Sequence, residues 1–119
     1  MKRFLEVKIE EKDKEIIEIN NIETLIEVIS EYVDGLLIPD EGDFLYDYIE
    51  ERDFDMLELD LKRGYSKDVY DEVDLYIKTI KYLYGIKKID ELPSLIEQCN
   101  SLFDKLNVNY RFLPLIEYE

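Results

Sequence analysis

The stretch Asp40–Asp60, DEGDFLYDYIEERDFDMLELD, decides how the rest of the chain is read. Its acids are Asp40, Glu41, Asp43, Asp47, Glu50, Glu51, Asp53, Asp55, Glu58 and Asp60, with Arg52 as the single base. Ten acids against one base give this segment −9 of the chain's formal −15. Phe44, Tyr46, Tyr48 and Phe54 are threaded between the charges. Residues 43–52 admit two periods. As a helix, they place Phe44, Leu45, Tyr48 and Ile49 on one face and Asp43, Asp47, Glu50 and Glu51 on the other. As a strand, they place Phe44, Tyr46 and Tyr48 together, with Pro39–Gly42 as a hairpin turn after residues 36–38. The helix separates apolar from charged side chains more cleanly and is preferred. Either period leaves the carboxylates outside. In residues 56–62, Leu57, Leu59 and Leu61 alternate with Glu58, Asp60 and Lys62, the pattern of a half-buried strand.

Outward toward the N-terminus, Ile22, Leu25, Ile26, Ile29 and Val33 recur at helical spacing and predict a helix over 21–34. Asn20 or Asn21 caps it, Glu23 stands in capping-box position to Asn20, and Gly35 suits the C′ position by tolerating positive φ. Leu36–Ile38 is a short apolar run, a strand candidate stopped by Pro39. Residues 3–10 alternate, with Leu5, Val7 and Ile9 on one side. A polar turn at 11–14 and a second strand over 15–19, with Ile17 and Ile19 inward, complete an antiparallel hairpin.

Outward toward the C-terminus, Gly64 ends the acidic strand and Ser66 caps a helix over 67–84. Val69, Val73, Ile77, Ile80 and Tyr84 form its apolar stripe, Asp74 and Lys78 an i,i+4 pair, and Gly85 its end. A further helix over 91–106 buries Leu92, Leu95, Ile96, Cys99, Leu102, Phe103 and Leu106. Pro93 falls in its first turn, Ser94 and Glu97 offer a capping box, and Asn107 stops it. Val108, Tyr110 and Phe112 then alternate as a last strand, which Pro114 confines to an edge or ends. These elements predict a single small α+β domain over residues 1–119. It has an N-terminal β-hairpin, three to four helices, a central acidic strand and a C-terminal edge strand.

A net charge of −15 opposes binding to nucleic acid, which needs cations for phosphate, and to anionic membranes. It suits a basic protein partner. MKRFLEVKIEEKDK lacks the apolar core of a signal peptide. No run approaches the roughly 18 apolar residues of a membrane span. One cysteine makes no internal bridge, so a reducing cytoplasm is expected.

Few residues carry chemistry. With no histidine in the chain, a Cys-His dyad or a Ser-His-Asp triad within it is excluded, and Cys99 on an apolar helix face reads as core. Pro39-Asp40 followed by Asp60-Leu61-Lys62 matches the pattern of a metal-dependent PD-(D/E)xK nuclease, in which two carboxylates hold a cation and a lysine polarises water. Acid-x-Lys also occurs at Glu6-Val7-Lys8 and Glu10-Glu11-Lys12, and a segment of −9 repels a phosphate substrate. Asp53-x-Asp55 resembles the opening of a calcium loop but lacks its later glycine and glutamate. No metal and no cofactor is expected. Tyr76 and Tyr84 are expected to hold rings near the core and hydroxyls at its edge.

The favoured reading is a small acidic inhibitor, an immunity protein or antitoxin, covering the cationic active-site face of a toxin such as a nuclease. The partner-binding candidates are Asp43, Tyr46, Asp47, Tyr48, Glu50, Glu51, Asp53 and Asp55. The alternatives are a nucleic-acid-mimicking anti-defence protein and the metal nuclease. Residues 1–39 hold ten acids against five bases, and 61–119 ten against nine, so the charge is local rather than spread along a mimic.

Overall fold

The computed structural model describes residues 2–9, 13–114 and 116–118. Strands β1 (Lys2–Lys8) and β2 (Lys14–Glu18) pair antiparallel, with Leu5 opposite Ile17. Leu5, Val7 and Ile19 are buried while Ile16 is exposed, as the alternation predicts. The polar turn expected at 11–14 falls partly outside the described residues. β3 (Arg111–Phe112) and β4 (Ile116–Tyr118) both pair with β1 on the side away from β2. Val7 faces Phe112 but Phe4 faces Ile116, so the register slips by one residue between them. Pro114 lies in this slip, a position where a sheet tolerates proline. The closing strand is thus at an edge, as expected, but β3 starts at Arg111 rather than 108.

Five helices, α1 (Ile22–Val33), α2 (Leu45–Glu50), α3 (Phe54–Gly64), α4 (Tyr70–Gly85) and α5 (Leu92–Lys105), pack on one another, with α5 against β3 and α1 reaching the sheet through Tyr32. The class is α+β. The largest departure from expectation is that residues 56–62 are not a strand but the body of α3. Here Phe54, Leu57 and Leu61 face inward, and Leu59, counted as core by the alternation, is 45% exposed. The composition favours the helix, because residues 53–64 contain no β-branched residue. Asp53 also supplies an N-cap, its Oδ1 accepting from the Met56 N–H at 3.3 Å, and Lys62 and Arg63 close the last turn. Of residues 43–52, Leu45–Glu50 take the preferred helical form as α2, with turns on either side, and Phe44, expected on the apolar face, is exposed instead. Residues 36–38 form no strand, since the turn after α1 runs over 34–37, and Pro39–Gly42 is a turn closed by Gly42 N–H to Pro39 O at 2.8 Å.

Several local expectations shift. Asn21, not Asn20, caps α1, accepting from the Thr24 N–H at 2.8 Å. Ser66 begins a 3-10 turn at Lys67–Val69, and α4 starts at Tyr70. Ser94 lies inside α5, whose N-cap is Glu91, so no Ser94–Glu97 box forms. Asp74 pairs with Lys62 of α3 at 2.6 Å rather than with Lys78 of its own helix, the pair that the i,i+4 spacing predicts. Asn107 does stop α5, at φ 56°, in a Schellman arrangement with Val108 N–H to Phe103 O at 2.9 Å.

α4 is the axis of the helical layer and packs on α1, α3 and α5. It buries Val73, Tyr76, Ile77, Thr79, Ile80 and Leu83. Thr79 stays satisfied, donating to Leu75 O at 2.7 Å and accepting from Gln98 Nε2 at 3.1 Å. Between α1, α5 and the sheet, Tyr32, Phe103, Tyr110 and Phe112 meet edge to face at 5.2–5.7 Å. Asn100 of α5 then acts as a substitute strand. Its amide donates to Phe112 O and accepts from Phe112 N–H, both at 2.9 Å, occupying the free edge of β3.

Candidate functional site

The charged face of α2 follows from helical geometry. Leu45 and Ile49 point into the core, which turns Asp43, Asp47, Glu50 and Glu51 outward together, while the Tyr46 hydroxyl reaches back to Gly35 beyond α1. Asp43, Asp47 and Glu51 form a row at i, i+4 and i+8. Among the described residues, none makes an ion pair with Asp43, Asp47, Glu50 or Glu51. Tyr46 is 41% exposed and Phe44, at the start of the helix, 58%.

The other candidates fall elsewhere. Tyr48 turns to the opposite side of α2 and donates to Asp60 Oδ2 at 2.8 Å, so it ties α2 to α3 rather than joining the outer face. Asp53 is exposed but committed to capping α3. Asp55 lies in the first turn of α3, 3.5 Å from Lys81 Nζ. Asp53-x-Asp55 is therefore explained as acids at a helix N-terminus.

The nuclease pattern loses its geometry. Asp60 and Lys62 stand two residues apart on a helix and diverge instead of sharing a strand face. Asp60 accepts from Tyr48 and from Arg63 Nη1 at 3.1 Å, while Lys62 is held by Asp74. Asp40 sits exposed in the Pro39–Gly42 turn. Among the described residues, no group of three or more His, Cys, Asp or Glu is placed to hold a metal ion. Cys99 is fully buried, and burial pushes its thiol up to about 12.

Behind the acidic face lies a cluster that sequence reasoning missed. α1 ends at Asp34 without the left-handed glycine that was expected, since no glycine here has positive φ. Tyrosine hydroxyls supply donors to the helix end instead. Tyr76 donates to Asp34 O, Tyr84 to Asp34 Oδ2, and Tyr65 to Leu37 O at 2.7 Å. Asp34 Oδ1 is buried with no hydrogen-bond partner. Burial raises the Asp34 carboxyl above the usual range, and the Tyr84 hydrogen bond and the Arg52 charge pull it back. Tyr76 and Tyr84 are as expected, with ring in or near the core and hydroxyl at its edge.

Arg52 completes the cluster. It takes φ 61°, the C′ position of a Schellman motif in which Arg52 N–H bonds Ile49 O at 3.1 Å and Asp53 N–H bonds Tyr48 O at 2.8 Å. Its guanidinium donates to Ile49 O at 2.6 Å and lies 4.0 Å from the centroid of Tyr84. Phe54 stacks on the same tyrosine at 5.9 Å. The only base of the acidic stretch therefore leaves the α2 row unneutralised. No helix among the described residues is long and apolar enough to cross a membrane. Compared with protein-family models, curated proteins and solved structures, the chain has no match.

Proposed function

We propose that the chain is an acidic protein-binding inhibitor, of the immunity-protein or antitoxin type, that sets the outer face of α2 against the cationic active-site face of a toxin. The row Asp43, Asp47 and Glu51, unpaired within the described residues, carries this reading. Like charges at i,i+4 oppose a helix by about 0.2–0.5 kcal/mol per pair. Glu50 and Glu51 sit at the negative end of the helix dipole, where acids are unfavourable. The free protein thus holds an arrangement that costs stability and that a cationic surface would relieve. Exposed Phe44 and Tyr46 provide the apolar anchors of such a contact. A nuclease is the toxin class that fits, because its cleft is cationic to receive phosphate.

The test is calorimetric titration, in about 50 and 500 mM salt, against the product of whichever adjacent gene encodes a basic protein. The parent chain should bind stoichiometrically, inhibit the partner and weaken with salt. Combined Asp43→Lys, Asp47→Lys, Glu50→Lys and Glu51→Lys should abolish binding with the fold intact. Asp53 is left alone, since losing its cap costs roughly 1 kcal/mol by itself. Unchanged binding by the reversed chain sinks the reading. Capture of a DNA-handling complex that DNA displaces would replace it with nucleic-acid mimicry.

A further inference from the structure

We propose that the open edge of β2 pairs with β2 of a second copy of this chain, antiparallel and centred on Ile16, so that one sheet runs through a two-fold dimer. This stands apart from the inhibitor reading. Within the sheet, β2 has a neighbour on one side only, β1. Ile19 N–H bonds Arg3 O at 2.8 Å and Ile9 N–H bonds Asp13 O at 2.9 Å. The alternation of an antiparallel ladder then turns the N–H and C=O of Asp13, Glu15, Ile17 and Ile19 toward β1, and those of Lys14, Ile16 and Glu18 away from it. β1 obeys the same alternation, since Glu6, opposite Ile16, turns its carbonyl the other way to accept from Leu113 N–H at 3.0 Å. Among the described residues, nothing bonds the backbone groups of Lys14, Ile16 and Glu18 at this edge. The edge at β3 is closed by the Asn100 amide, whereas the edge at β2 has no such guard.

The sequence of the edge selects a second copy. The strand Lys14–Glu18, KEIIE, is self-complementary when turned about Ile16. Lys14 then lies opposite Glu18 of the second copy, Ile16 opposite Ile16, and Glu18 opposite Lys14. These are the residues whose backbone groups face the open edge, so the register that pairs the charges is also the one that makes the hydrogen bonds. Their side chains share one face of the sheet, opposite to that of Leu5 and Val7. Ile16 is 65% exposed, more than any other large apolar side chain among the described residues, and the pairing covers it at the two-fold axis. Glu18 makes no ion pair among the described residues, and Lys14 reaches only Glu6 of its own sheet, at 3.3 Å. Like charges directly opposite oppose pairing, so a strand without this order of base, apolar centre and acid fits less well.

The test is sedimentation equilibrium of the full chain in about 150 mM NaCl, where charges more than about 8 Å apart are largely screened. The parent should dimerise with rising concentration, and amide exchange at Ile16 should slow as it does. Lys14→Glu and Glu18→Lys, each alone, set like charges opposite one another and should weaken the dimer about tenfold. Mixed in equal amounts, these two variants should form a mixed dimer, although each remains strongly acidic. Ile16→Pro removes the central edge donor without touching the β1 ladder and should leave a folded monomer. A parent still monomeric at about 1 mM would overturn the proposal. So would single variants that dimerise like the parent, a mixture that does not recover the dimer, or Ile16 exchange that ignores concentration.

Discussion

Asp34 closes α1 with a carboxylate that burial penalises and one tyrosine only partly satisfies. Its folded carboxyl titrates above the unfolded value. The stability tied to the protonated form is therefore complete at acid pH and lost as pH rises through the folded value. Ionised Asp34 is a liability at neutral pH. Asp34→Asn should be more stable than the parent in urea at pH 7, with the gap closing as pH falls toward about 4. A gap that does not change with pH would locate the cost outside this ionisation. Arg52 poses a different balance. Left-handed backbone costs a non-glycine residue roughly 1–2 kcal/mol, while its bond to Ile49 O and its stacking on Tyr84 return a similar amount. Arg52→Ala keeps the strain and loses the contacts, so it should destabilise by about 1–2 kcal/mol; Arg52→Gly should recover about 1 kcal/mol of that. Equal losses in chemical denaturation would show that the backbone at this position is unstrained. None of this was legible beforehand. The tyrosines that finish α1 are 28 to 50 residues away from the groups they bond.

α3 shows how an element can be misread from sound local evidence. Leu57, Leu59 and Leu61 satisfy a period of two, but Phe54, Leu57 and Leu61 satisfy the i, i+3, i+7 spacing of a helix face equally well. The deciding signals were present: no β-branched residue in 53–64, an aspartate cap, acids first and bases last. α1, α4 and α5 were readable because long apolar stripes leave one period only. At the other end of the chain, the two-residue β3 holds its place through Asn100. Asn100→Ala leaves the N–H and C=O of Phe112 without partners and should cost about 2–3 kcal/mol, measured by urea unfolding. A loss below about 0.5 kcal/mol would mean that water replaces the amide freely. An asparagine bonded across twelve positions looks, in the sequence, like any polar residue on a helix.

The molecule spans 48 × 31 × 22 Å, and at about 10 mM salt the screening length is roughly 30 Å, so most of its charges repel one another. A net −15 then opposes the compact state. The melting temperature should rise from about 10 to 500 mM NaCl; a fall would show that ion pairs such as Lys62–Asp74 outweigh the repulsion. Composition and periodicity determined the α+β class, the hairpin, the three long helices and the outward carboxylates of residues 43–51, because each is set by neighbours within a turn or a pleat. Tertiary structure alone decided that Tyr48 and Asp53 serve the fold while Asp43, Asp47, Glu50 and Glu51 remain unpaired within the described residues. It also decided that Arg52 turns to Tyr84, not to the acids beside it in sequence. Whether a surface charge is free depends on which side chains the packing brings within a few ångströms, and sequence separation carries no information about that.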